Sequence, residues 1–191
     1  IIKMGKFLSP QDLSEYSEAI SEHVEDPNIF STFVETGTAY GQSIDSIYQY
    51  FEKIFTVEIS EKLYEWLTPQ IGHWTNVQRV LGDSLIEIPK YLNSLTKEDH
   101  VFFWLDAHWS QGLSSKNHLD VPLLEECSII DTEYQANLGL VIIDDVRLFE
   151  TDDAEDWSGI SKKNIIETFE NFEILVTEEI DDRLLLLIKR K

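Results

Sequence analysis

"FEILVTEEIDDRLLLLIKR" (residues 172–190) decides the fold. It contains two apolar, β-prone runs, FEILVTEE and RLLLLIKR, with only Ile180, Asp181 and Asp182 between them. A parallel crossover needs about a dozen residues or more, so this link allows an antiparallel hairpin but no crossover. The rest of the chain behaves differently. LGLVIIDD (138–145) and HVFFWLD (100–106) are nearly all apolar, as strands covered on both faces should be. Between them VPLLEECSII reads as a helix, with Pro122 placed for its first turn. A further helix is expected near 161–170, after the acidic loop FETDDAEDWSG.

The same alternation continues toward the N-terminus. NVQRVLGD (76–83) reads as a strand, followed by the helix SLIEIPKYLNSL, expected to be irregular near Pro89 because that residue lacks a donor. KIFTVEI (53–59) is a strand, and Ser60 can cap a helix carrying Leu63, Trp66 and Leu67. IFSTFVE (29–35) is a short strand. GQSIDSIYQYF then places Ile44, Ile47, Tyr48 and Phe51 on one helical face. SPQDLSEYSEAISEHV (9–24) reads as an amphipathic lead-in helix with Leu13, Tyr16 and Ile20 on one side. Repeated β-α units predict an α/β fold: a doubly wound, mostly parallel sheet with helices on both faces and one antiparallel strand at the end. Residues 1–27 form the lead-in and 28–191 the core of a single domain.

Composition narrows the function. At 191 residues, 42% hydrophobic and 12% aromatic, the chain can bury a sizeable core. Its 36 acids against 15 bases give a formal charge of −21, which opposes binding to nucleic acid. No apolar run approaches the roughly 20 residues of a membrane span, so no membrane partner is expected. Cys127 is the single cysteine, which excludes an internal disulfide and fits a reducing, cytoplasmic compartment. A first residue other than Met suggests a domain cut from a longer protein.

In open α/β sheets ligands bind beyond the carboxyl ends of the strands. Every such end here carries polar chemistry: Glu35 with Gly37-x-x-x-Gly41, Glu58, Gly82-Asp83-Ser84, Asp106-Ala107-His108, and Asp144-Asp145. The glycine loop is neither G-x-G-x-x-G nor a phosphate-binding loop ending in Lys-Ser/Thr. Glu35 beside it would repel a pyrophosphate but could pair with an ammonium. Glu58 stands where an acid binds a ribose diol, in NAD or in S-adenosylmethionine alike. Asp83 and Ser84 could meet an adenine amine, or could cap a helix with Glu87 closing a capping box. Asp106 and Asp144 should end adjacent strands about 4.8 Å apart, close enough to share a hard divalent cation. Asp144 and Asp145 can both turn inward only if the strand has already ended. His108 is a rival general base. Trp109 could stack on a sugar or simply pack. His23, His73, His100 and His118 have no catalytic context, and Cys127 reads as core.

Taken in order, FVETGTAYGQS, FTVEIS, VLGDS, FFWLDAHWS and VIIDD resemble the motifs of class I S-adenosylmethionine-dependent methyltransferases. The closing hairpin resembles that family's seventh strand, which NAD-binding sheets lack. The resemblance covers residues 29–191 and implies a Rossmann-like sheet ordered 3-2-1-4-5-7-6, with the lead-in helix near the cofactor. It implies that S-adenosylmethionine is held by Glu35, Thr36, Gly37, Thr38, Tyr40, Gly41, Ser43, Glu58, Ile59, Gly82, Asp83, Ser84, Asp106 and Ala107. It adds Asp145 as a third ligand, beside Asp106 and Asp144, for Mg²⁺ or Mn²⁺.

The combination LDAHWS, PLLEE and VIIDD is similar to the macrocin-type branch of sugar O-methyltransferases. It also resembles the methyltransferase part of chlorovirus multidomain glycan-building proteins, which implies fused partner domains and a host-cytoplasmic site. The branch implies methylation of a sugar hydroxyl, on a deoxyhexose such as rhamnose within a glycan. Some members carry Asp-Gly-Asp where this chain has Asp106-Ala107-His108, which leaves the base open between Asp106 and His108. Two other readings stand beside it: O-methylation of a small hydroxylated molecule, and a non-catalytic adenosylmethionine-binding module. An NAD-linked oxidoreductase is opposed by the missing G-x-G-x-x-G. Oligomeric state stays open, a homodimer included.

Overall fold

The computed structural model describes residues 7–106, 121–152 and 155–191. The hairpin forms as its length requires. Strand β6 (Phe172–Ile180) turns into β7 (Arg183–Arg190) through Asp181 and Asp182, whose φ angles are +48° and +71°. Positive φ at both central residues matches the right-handed twist of the flanking strands, and aspartate tolerates that conformation better than most residues.

Upstream lie helix α1 (Pro10–Ala19), β1 (Thr32–Thr36), α2 (Gln42–Ile47), β2 (Lys53–Glu58) and α3 (Glu61–Leu67). Then come β3 (Val77–Leu81), α4 (Ser84–Leu92), β4 (Val101–Leu105), α5 (Leu123–Glu133), β5 (Leu138–Ile143) and α6 (Lys162–Thr168). The strands form one seven-stranded sheet in the order β3-β2-β1-β4-β5-β7-β6. β7 runs antiparallel between β5 and β6, and the pairs among β1 to β5 are parallel. This is the expected Rossmann-like methyltransferase arrangement.

Side chains alternate across the sheet and build two cores. Val34, Phe55, Phe103, Val141 and Leu186 pack on α4, α5 and α6 through Ile88, Leu92, Cys127, Ile130 and Ile165. Phe33, Ile54, Phe102, Trp104, Ile142 and Leu187 face Tyr16, Ile20, Ile44 and Ile47 from α1 and α2, or from just beyond α1. Cys127 is fully buried in the first core.

The helices differ from the sequence reading at their ends. α1 starts in a reciprocal capping box between Ser9 and Asp12 but stops at Ala19, although Ile20 and Val24 stay buried. α2 ends at Ile47 and tightens into a 3-10 turn over Tyr48–Tyr50. Pro122 precedes α5 as its N-cap residue rather than sitting in the first turn. α4 tolerates Pro89 inside it and still reaches Leu92. Asp83 caps α4 by accepting from Leu85 N at 3.0 Å, while Glu87 pairs with Lys90 at 2.7 Å on the helix surface.

Registers fix which residues meet at the carboxyl end of the parallel strands. Val57, Thr36, Leu105, Ile143 and Leu184 are successive partners across the sheet. One residue further along lie Glu58, Gly37, Asp106, Asp144 and, from the antiparallel strand, Arg183. Because β7 is internal and Leu186 is fully buried, Leu186→Ala should destabilise the protein by about 2–5 kcal/mol, read from the urea midpoint.

Candidate functional site at the carboxyl end of the sheet

The glycine loop is anchored to β2. Gly37 N and Thr38 N both donate to Val57 O, at 3.0 and 3.3 Å, and Gly41 N donates to Thr38 O at 2.8 Å. Gly37 and Gly41 have φ of +81° and +71°. A Cβ on Gly41 would lie 2.6 Å from Trp74 Cη2 and 2.9 Å from Leu67 Cδ2, so glycine is required there for space as well as for conformation. Tyr40 stays partly exposed and meets the Trp66 ring edge-on at 5.2 Å. Ser43 Oγ accepts from Leu8 N at 3.1 Å, tying the N-terminal segment to the start of α2.

Glu58 joins two loops. Its Oε2 accepts from Ala39 N at 2.8 Å and its Oε1 from Ser60 N at 2.7 Å. Ile59 contributes a further backbone hydrogen bond. Burial still raises its pKa, against those amides and the nearby Arg79. Gly82 N donates to the Glu58 carbonyl at 2.9 Å, so the β3 end is held to the same residue.

Glu35 lies beneath the loop, only 2% exposed. Thr56 Oγ1 donates to its Oε2 at 2.7 Å and sits 2.6 Å from Thr38 Oγ1. With the Thr56 proton committed to Glu35, Thr38 donates to Thr56, giving a chain of hydroxyls from the loop to the carboxyl group. Burial pushes the Glu35 pKa up to about 8, with Asp106 and Glu58 adding in the same direction.

A second interior acid was not singled out in the sequence. Glu126, on α5, is 1% exposed. Its Oε2 accepts from Thr36 Oγ1 at 3.3 Å, the Ser84 hydroxyl also bonds its carboxyl group, and Oε1 has no hydrogen-bond partner among the described residues. Thr36 Oγ1 in turn accepts from Asp106 N at 3.2 Å. Glu126 thus links the ends of β1 and β4 to the start of α4, and burial lifts its pKa to about 8. The signal was available: Leu123, Glu126, Cys127 and Ile130 share the i, i+3, i+4, i+7 face of α5.

Asp106 is placed at the end of β4, half-buried, while Ala107, His108, Trp109 and His118 lie outside the described residues. The strand ends at Ile143, so Asp144 and Asp145 are free of the sheet's alternation, and Asp145 adopts φ +63°. Both acids are buried, but each turns to an arginine. Asp144 Oδ1 lies 3.2 Å from Arg183 Nε, and Asp145 Oδ1 lies 2.5 Å from Arg147 Nη1. Arg147 also binds the Asp182 carboxylate of the hairpin. Burial and the neighbouring Asp145 hold the Asp144 pKa up at about 6 in spite of Arg183.

This corrects the expected cation site. Among the described residues no cluster of three or more His, Cys, Asp or Glu side chains could hold a metal ion. The donors expected from Asp144 and Asp145 are engaged by guanidinium groups, so the described part of the Asp106, Asp144 and Asp145 set does not fit Mg²⁺ or Mn²⁺. The histidines with described positions are remote from this centre: His73, for example, pairs with Asp45 at 2.8 Å on the surface. An open hollow lined by His23, Glu25, Asp26, Asn28 and Leu138 lies at the opposite end of the strands. No described helix is long and apolar enough to cross a membrane.

No protein-family model and no curated protein matches the sequence. Solved structures share the fold. A Staphylococcus aureus chain assigned as a caffeoyl-CoA O-methyltransferase is 17% identical, with a TM-score of 0.59 over 98% of this chain and 87% of that one. The fibrillarin pre-rRNA processing protein of Methanococcus jannaschii is 14% identical, with a TM-score of 0.57 over 100% and 84%. The N-methyltransferase NodS of Bradyrhizobium japonicum WM9 is 10% identical, with a TM-score of 0.55 over 94% of each chain. The chain therefore has the fold of the class I methyltransferases. Those three names span different acceptors, so the fold does not choose among them.

The interior acids set a pH dependence. A carboxyl group whose pKa rises from 4.5 unfolded to about 8 folded binds more protons in the native state. Its contribution is complete below pH 4.5 and is lost as the pH rises through about 8. The unliganded protein should therefore unfold at a lower urea concentration at pH 8.5 than at pH 6, and Glu35→Gln should shrink that difference.

Proposed function

We propose that this chain binds S-adenosylmethionine at the carboxyl end of β1 and β2 and transfers its methyl group to a hydroxyl of a sugar. The observation that carries the first half is Glu58, whose carboxylate draws the glycine loop and the β2–α3 turn together. Backbone amides of Ala39, Ser60 and Ile59 take three of the roughly four lone-pair directions of this carboxylate, and the remaining one can accept from a ribose hydroxyl. Gly37 leaves the loop bare where a cofactor's amino-acid end approaches, while Gly41 lets Trp74 and Leu67 pack against the loop from behind. Glu35 beneath it offers negative charge to an ammonium once its own proton leaves, and Asp83 borders the adenine side.

Bound S-adenosylmethionine supplies an electrophilic methyl group on a sulfonium sulfur. The chain's part is to align the acceptor oxygen with that methyl and to take the hydroxyl proton. Asp106 stands at the end of β4, beside the cofactor's expected position, and is the base on this reading; His108 is the alternative. The sugar itself, a deoxyhexose such as rhamnose, rests on the resemblance of LDAHWS, PLLEE and VIIDD to the macrocin-type branch. So does the suggestion that the chain works beside other glycan-building domains.

Calorimetry should detect binding of S-adenosylmethionine and of its demethylated product, and none of NAD. Glu58→Ala should weaken that binding by about 1–3 kcal/mol, the loss of a hydrogen bond to a charged group. A methyl-transfer assay over free and glycan-linked deoxysugars tests the acceptor. In that assay Asp106→Asn should keep the fold and most of the cofactor affinity and lower turnover by about 10²–10⁴. Full activity of Asp106→Asn with loss in His108→Ala would move the base to His108.

A further inference from the structure

Arg183 is the first residue of β7, and at 1% exposure it is one of the largest fully buried side chains. Its Nε lies 3.2 Å from Asp144 Oδ1, and its Nη1 lies 2.9 Å from Asp12 Oδ1. The same Nη1 donates to Tyr16 Oη at 3.0 Å, and the guanidinium carbon stands 4.8 Å from the Trp104 ring centroid. Residues from α1, β4, the β5 end and β7 thus converge on one permanent positive charge. A chain with only 15 bases against 36 acids has placed one of them in its interior, in the row that holds Asp106 and Asp144.

We propose that the Arg183 guanidinium takes the place a divalent cation would need at the end of β5, closing Asp144 to Mg²⁺ and Mn²⁺. On the methyltransferase reading, the reaction then proceeds without a metal.

The argument is one of donors and charge. A hard cation requires several oxygen ligands at about 2.0–2.6 Å. Asp144 Oδ1 is held by Arg183 and Asp145 Oδ1 by Arg147, and Asp144 Oδ2 is a buried oxygen with no hydrogen-bond partner among the described residues. An added dication would also stand beside a buried guanidinium, and like charges repel strongly where water is excluded. Asp12 strengthens the exclusion. It brings a second carboxylate to the same guanidinium from the lead-in helix, so the arginine is fixed from two directions.

The test is a Mn²⁺ titration followed by the paramagnetic resonance signal of the free ion. Wild type and Asp144→Asn should give superimposable curves, because any weak binding by surface acids is common to both. Arg183→Gln, which releases Asp144 and Asp12, should bind Mn²⁺ at least tenfold more tightly than wild type. A stoichiometric site in wild type that disappears in Asp144→Asn would overturn the proposal. So would an Arg183→Gln protein that folds and binds no better. If Arg183→Gln does not fold, the comparison of wild type with Asp144→Asn decides alone. These curves require no turnover, so they stand or fall separately from the methyl-transfer assay, in which chelator should leave the wild-type rate unchanged.

Discussion

Carboxylates cannot be left charged and alone in a low-dielectric interior, and this structure gathers several of them at one end of its sheet. Each is neutralised differently. Glu58 takes backbone amides from two loops. Glu35 and Glu126 are surrounded by hydroxyls and keep their protons to higher pH. Asp144 and Asp145 take arginines. These solutions determine much else: which threonines face inward, where the glycine loop rests, and why cationic side chains come in from distant parts of the chain.

The lead-in helix belongs to this system. Asp12 and Tyr16 reach the buried arginine, and Leu8 N bonds Ser43 beside the glycine loop. An amphipathic helix that merely covered the sheet would need only its apolar face. This one also brings a carboxylate and a phenol to Arg183 at the start of β7, so the N-terminal segment and β7 stabilise one another's polar groups.

Much of the fold was legible because it follows from lengths and alternation. The link at Ile180–Asp182 excluded a crossover, and the near-continuous apolar runs marked strands covered on both faces. The acids closing those runs pointed to one end of the sheet by their recurrence: one carboxylate at a strand end is ordinary, but five successive ends carry one. What the sequence could not display was pairing. Arg183 opens a leucine-rich run and reads as a strand terminus, and its partner Asp144 is 39 residues away. Only the insertion of β7 next to β5 brings them together. Without that, Asp144 and Asp145 looked like adjacent free ligands. Thr56 was hidden similarly, since a threonine in a strand is ordinary until Glu35 is seen beside it on β1. Glu126 was different: its place on the apolar face of α5, with Leu123, Cys127 and Ile130, was readable.

The position of β7 also dictates an order of assembly. Its residues 183–190 fill the gap between β5 and β6, so β5 keeps an unpaired, apolar edge until the last strand of the sheet has been synthesised. Such an edge is a template for pairing with other chains. During translation the nascent chain would carry both this edge and an uncompensated Asp144, and one event, the insertion of β7, removes both. A ribosome paused before residue 183 therefore holds a species with an exposed strand edge and an Asp144 that still lacks its arginine.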